Sequence, residues 1–169
     1  MDKSATIKRF FYKTYTYHIV LLSTQVICLA LLLYLNFTTS LIASSRNELN
    51  LSCFLIPFLA FSSILAGNYM RKRALQKATS VKELDQKLAI YHDMTIKKWL
   101  IVEASFFIVI SVFCFSGHLL LLGVATFIFL FFIGTLPTPL RVALDLHLKN
   151  DEKALIFSMG NKKRRILHK

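Results

Sequence analysis

The sequence predicts an all-α, polytopic membrane protein: four transmembrane helices in an antiparallel bundle, both termini on the cytoplasmic side, and amphipathic helical segments beneath. Three observations carry this. The chain has 169 residues, is 55% hydrophobic and contains 15 Phe, more apolar surface than a soluble domain of that size keeps out of water. Four apolar runs, at 18–37, 51–69, 99–116 and 119–136, are each about 18 to 20 residues long, roughly what a helix needs to cross ~30 Å of hydrocarbon. Finally, the cations alternate between the segments that join these runs.

That alternation sets the orientation. Four basic residues precede the first run (Lys3, Lys8, Arg9, Lys13), one lies in the first connection (Arg46), eight lie between Arg71 and Lys98, none in the third connection, and eight between Arg141 and Lys169. Twenty of the 21 fall on one side of an even-numbered bundle, the positive-inside pattern. The formal charge of +12 therefore reports topology and attraction to anionic lipid at the cytoplasmic face. It does not point to a nucleic-acid partner.

Residues 1–17 read as a basic cytoplasmic arm. The first run has a longer apolar stretch than a cleavable signal core, and a cut after Ala43 would place Leu41 where a small residue is required, so a retained membrane helix is expected. A polar outer loop follows at 37–50. Its edges carry two N-glycosylation sequons, at Asn36 and Asn50, read as chance matches at the membrane boundary. In the second run Pro57 predicts a bend. Ser63 and Gly67, with Ser62 and Ala66 beside them, form small-x-x-x-small pairs that allow close helix approach, within the chain or between copies.

The inner connection, 70–98, opens on Arg71-Lys72-Arg73. S-V-K-E at 80–83 has capping-box spacing, with Ser80 as N-cap and Glu83 reaching back. Beyond it Leu84, Leu88 and Tyr91 form an amphipathic stripe. No Gly or Pro interrupts residues 80–116, which predicts one long helix entering the bilayer, with room for a bend near His92–Thr95. Trp99 stands at its entry as an interfacial anchor. F-S-G-H at 115–118, with Gly117 taking the turn, predicts a tight hairpin into the Phe-rich fourth run, where Phe127, Phe129, Phe131 and Phe132 read as facing lipid or a partner. In P-T-P-L-R at 137–141, Thr138 and Pro139 read as N-cap and first helical residue. The remainder, 137–169, reads as an amphipathic helix with Leu140, Leu144 and Leu148 on one face and Arg141, Asp145 and Lys149 beside it, ending in the basic tail N-K-K-R-R at 161–165.

Glu103 is the lone formal charge within the four runs. Ionisable residues at such depth are costly and point to function. It stands one turn inside the boundary, so two roles are open. It pairs with Lys98, Arg71 or Arg73 or leans to water, or it handles a proton or substrate in a polar cavity. Cys28, Cys53 and Cys114 form no C-x-x-C motif and read as small buried hydrophobes, with a Cys53–Cys114 bridge as the alternative. His18 and His118 are a membrane apart, which argues against haem, and His92 with His147 makes a poor metal pair. No catalytic motif, nucleotide loop, metal or cofactor signature is visible, so no enzyme activity is expected.

Two segments, K-L-A-I-Y at 87–91 with I-K-K-W-L-I-V-E-A-S-F-F at 96–107, and P-T-P-L-R-V-A-L-D-L-H-L at 137–148, resemble a group of small four-helix membrane proteins of bacteria. The resemblance covers the second half of the chain and extends to the first half only in hydropathy. Ala104 stands where that group is expected to have Gly. The resemblance implies a multi-pass protein of the bacterial cytoplasmic (inner) membrane in which Glu103, Trp99, Pro137 and Asp145 belong to a recurring design. It implies no activity. The expected function is a structural or accessory membrane role through self-association or a membrane-complex partner; the alternative is a small transporter or channel subunit using Glu103.

Overall fold

The computed structural model describes residues 3–39 and 52–166, and within them six helices and no strand: α1 (Lys3–Thr39), α2 (Ser52–Ser80), α3 (Leu84–Ser116), α4 (Leu119–Ile133), α5 (Pro139–Asp145) and α6 (Asn150–Ile166). Most of the outer loop expected over 37–50, with Arg46 and the Asn50 sequon, lies outside the described residues, as do the side chains of Asn36 and Cys53. Cys28 and Cys114 are free thiols.

Side-chain pairings give the helix directions. Along α1 and α3, His18 meets Trp99 and Gln25 meets Glu103, so these two run parallel. Ser63 meets Ser105 while Gly67 meets Lys98, so α2 runs antiparallel to α3. Phe132 meets His18 and Trp99 at the far end of α4, which is likewise antiparallel to α3. Among the first four helices, α1 therefore runs parallel to α3, and α2 and α4 run antiparallel to it. Two of them, α1 and α3, are long and apolar enough to cross a membrane; α4 is apolar but has 15 residues.

Helix α3 is continuous over 33 residues, ~50 Å by its rise, and it joins two separate cores. Its N-terminal part (Leu84, Leu88, Tyr91, Met94) packs with Ile7, Phe10 and Phe11 of α1, Ala78 of α2, Val142 and Ala143 of α5, and Ile156 of α6. Its C-terminal part (Trp99, Val102, Phe106, Val109, Phe113) packs with Leu32, Ala60, Ile64 and the α4 residues Leu121, Ala125, Ile128 and Phe132. The basic arm is thus the start of α1, helical from Lys3 and anchored by Ile7, Phe10 and Phe11.

The hairpin forms as expected. Gly117 caps α3 at φ 67°, where a side chain would be strained, and its N–H donates to the Phe113 carbonyl at 2.8 Å. Thr138 likewise caps α5, its hydroxyl accepting from the Arg141 N–H at 3.2 Å. Three local expectations are corrected. The S-V-K-E capping box does not form: Ser80 is the last residue of α2, its hydroxyl donating to the Lys77 carbonyl, and Glu83 precedes α3 without a side-chain cap. Helix α4 stops at Ile133 because Gly134 and Thr135 turn the chain. Leu140, Leu144 and Leu148 do not share a buried face; the helix breaks after Asp145, Leu140 and Leu144 point outward, and Val142, Ala143, Leu146 and Leu148 enter the core. The basic tail continues α6 to Ile166.

Candidate functional site

Five positions along α3, from Lys98 to Glu103, divide its two polar neighbourhoods. Lys98 and Glu103 stand about 140° apart around a helix of 3.6 residues per turn, so they face different partners. The expected ion pair is not formed among the described residues. The Glu103 carboxylate accepts from Gln25 Nε2 of α1 at 2.6 Å, and among the described residues no cation lies within ion-pair distance of it. Gln25 is fully buried and Glu103 is 5% exposed. The amide oxygen Gln25 Oε1 and the other carboxylate oxygen, Glu103 Oε1, are buried without a hydrogen-bond partner among the described residues. Gln25 is thus a site residue that sequence reasoning passed over, being uncharged in an apolar run.

The other neighbourhood lies on the opposite side of Trp99. Arg71, at the end of the apolar half of α2, forms a salt bridge with Asp145 of α5, and Tyr91 donates to the same carboxylate oxygen at 2.9 Å. Burial, with the Asp145 charge and hydrogen bond adding to it, pushes the Tyr91 hydroxyl above its ordinary range. Arg141 Nη1 donates to the Gly134 carbonyl at 2.9 Å, satisfying the exposed end of α4. Arg73 is not part of this group; its guanidinium lies 4.8 Å from the Tyr69 ring on its own helix.

Lys98 enters between these elements. Gly67 makes this possible: a Cβ there would sit 3.2 Å from Lys98 Cγ, so the missing side chain leaves room for the lysine stem. The ammonium lies 5.4 Å from the Phe131 ring centroid, and no acceptor among the described residues is within hydrogen-bond range of it. Lys98 precedes the apolar run at 99–116, and burial lowers its pKa to about 8, with the nearby Arg71 and Arg141 charges lowering it further and Asp145 opposing. A small gap remains, lined by Arg71, Tyr91, Thr95, Lys98, Trp99, Thr135 and Arg141.

The small-residue pairs of α2 serve an internal contact. Ser105 Oγ lies 2.5 Å from Ser63 Oγ, and Ser63 donates to the Ala60 carbonyl at 2.7 Å. Trp99, expected at the rim, is fully enclosed. Its Nε1 donates to Thr135 Oγ1 at 2.9 Å, Thr135 donates to the Phe132 carbonyl at 2.7 Å, and His18 Nε2 lies 3.2 Å from the same carbonyl. His18 also stacks on Phe132 at 4.8 Å. This enclosure pins the turn after α4 and separates the Glu103 pair from the basic cluster. No group of three or more His, Cys, Asp or Glu side chains among the described residues is arranged to hold a metal.

The chain is therefore an all-helical protein with two helices long and apolar enough to cross a membrane. No family model matches it, and no curated protein or solved structure does either.

Proposed function

We propose that the protein is a multi-pass protein of a bacterial inner membrane, with α1 to α4 crossing and both termini in the cytoplasm. In this reading it has a structural or accessory role, acting through anionic lipid and through a partner or a second copy. The observation that carries the reading is the inverted surface of the α1–α4 bundle. Ile27, Tyr34, Phe58, Leu65 and Leu130 are each at least 60% exposed while Gln25, Glu103 and His18 are buried. Apolar-out, polar-in packing suits a bundle solvated by lipid. Single-cysteine labelling with an impermeant maleimide, in a background lacking Cys28, Cys53 and Cys114, tests it. His118→Cys is expected to label in intact cells and Lys153→Cys only after permeabilisation; the reverse pattern, or equal labelling, overturns the topology.

A second reading, a small transporter or channel subunit, rests on the two unpartnered oxygens of the Gln25–Glu103 pair. One proton held between them would satisfy both acceptors, and a side chain that holds a proton inside a bundle is what proton-coupled transport requires. Glu103→Gln keeps the shape and removes that proton. Loss of proton flux with the fold retained supports transport; unchanged flux and growth in cells that need the protein supports the accessory role.

A further inference from the structure

We propose that Lys98, Arg71 and Arg141 form a binding site for one phosphate group, presented by a phospholipid headgroup or as free phosphate. The three cations come from different elements, α2, α3 and α5, and meet around one gap. Asp145 is the one carboxylate bonded into that group, so three cations against one anion leave a local excess of two positive charges. That carboxylate is already engaged by both Arg71 and Tyr91. Lys98, 6% exposed as a residue, also lines the gap, and its ammonium, 5.4 Å from the Phe131 ring centroid, has no hydrogen-bond acceptor within range among the described residues. A charge held this far out of water is costly unless it is paired.

The gap and its lining narrow the chemistry. It is about the size of one water molecule, so a single oxygen enters while the rest of the ligand stays outside. Two guanidinium forks and an ammonium around one gap favour a group with several acceptor oxygens over a halide, which offers one centre. Thr95 and Thr135 also line the gap, although the Thr95 hydroxyl already donates to the Tyr91 carbonyl and that of Thr135 to the Phe132 carbonyl. Arg71 follows the second apolar run by two residues and Lys98 immediately precedes the third, the depth at which headgroup phosphates lie. The lipid as source rests on the membrane reading above; binding of free phosphate does not.

The test is a ligand-induced shift in thermal unfolding of the full chain in a non-ionic detergent. The ligands are dioleoylphosphatidylglycerol, inorganic phosphate, dioleoylglycerol as an acyl-chain control, and chloride at matched ionic strength. The wild type is expected to be stabilised by one or both phosphate-bearing ligands and by neither control. Lys98→Met and Arg141→Gln should each weaken that response by roughly tenfold or more in ligand concentration. Lys97→Gln, a neighbouring lysine paired with Asp93 at 2.7 Å, should leave it unchanged. A response to phosphatidylglycerol alone assigns a headgroup, and a response to inorganic phosphate as well assigns free phosphate. Equal responses from wild type and Lys98→Met, or none from either phosphate-bearing ligand, overturn the site. Should Lys98→Met fail to fold, Arg141→Gln against Lys97→Gln decides. A shift that survives failure of the cysteine-labelling topology would leave the site standing and the membrane reading fallen.

Discussion

Below Met94 and above Trp99, the same helix packs into two cores whose surroundings differ. The lower core, between the starts of α1 and α3 and helices α5 and α6, is mainly apolar inside, with Lys87 buried beside it and paired with Glu152, while Lys8, Arg9, Lys13, Lys72 and Lys77 on its outer faces are exposed. The upper core is reversed: polar groups turn inward in pairs, and Phe58, Leu65 and Leu130 turn outward. In the lower core burial of apolar area from water supplies the drive. In the upper one, if lipid surrounds it, that drive is absent and packing and hydrogen bonds must hold the helices. The contact of Ser63 with Ser105 and the Trp99–Thr135–Phe132 chain are of that kind.

The comparison is broken most severely at the seam. Trp99→Ala removes the largest fully buried side chain and the donor to Thr135, with an expected loss of about 3–5 kcal/mol. Unfolding in a denaturing-detergent titration measures it, and a loss no larger than an exposed-site substitution would show that the seam does not hold the two cores together. Next comes the outer surface. Leu65→Lys, at a position 69% exposed, is expected to cost about 2.5–3.5 kcal/mol if lipid contacts it. Lys72→Leu on the lower layer should stay within roughly 0.5 kcal/mol. Equal small effects in the two variants would mean both surfaces meet water.

The lower layer holds the Arg71–Asp145–Tyr91 network beside a separate Lys87–Glu152 pair, and Asp145→Asn tests the network. Arg71 and Asp145 are 21% and 19% exposed, so the loss is expected at roughly 1–3 kcal/mol, short of a fully buried pair. The same variant should bring the Tyr91 hydroxyl down toward its ordinary range, since the Asp145 charge and hydrogen bond are two of the causes that raise it. An ultraviolet titration reads that shift, and a Tyr91 titration unchanged by Asp145→Asn would remove the carboxylate from its environment.

Helix type, the long uninterrupted α3, the Gly117 turn and the Thr138 cap were legible because each depends on local sequence. The site was legible only in part. Glu103 stood out as a charge in an apolar run, but its partner depends on which face of α3 meets α1, which spacing to Lys98 already constrains and hydropathy does not. Gln25 carries no charge, and Arg141 and Asp145 read as the polar side of a surface helix. Their meeting with Arg71 and Lys98 requires α5 to fold back beneath the bundle. That turn follows from tertiary packing of Val142, Ala143 and Leu146, which no local pattern in 137–148 separates from the outward Leu140 and Leu144.

The smallest expected effect concerns pH, and it ties the seam to the basic cluster. Lys98 has a pKa of about 8 in the folded chain against an ordinary 10.5. Below about pH 8 the folded state carries the full cost of that buried charge. Between about 8 and 10.5 the unfolded chain binds more protons than the folded one, so stability rises with pH, and above 10.5 both forms are neutral and the cost is gone. Other lysines and tyrosines titrate in the same window, so the quantity to read is the difference between wild type and Lys98→Met. That difference should favour the variant at pH 7 and shrink as pH approaches 10.5. Saturating phosphate should shrink it at pH 7 as well, because an anion in the gap relieves the same repulsion. A difference that is flat in pH would mean that Lys98 is as well solvated as an exposed lysine, and the burial that sets it apart from Lys97 would have no energetic consequence.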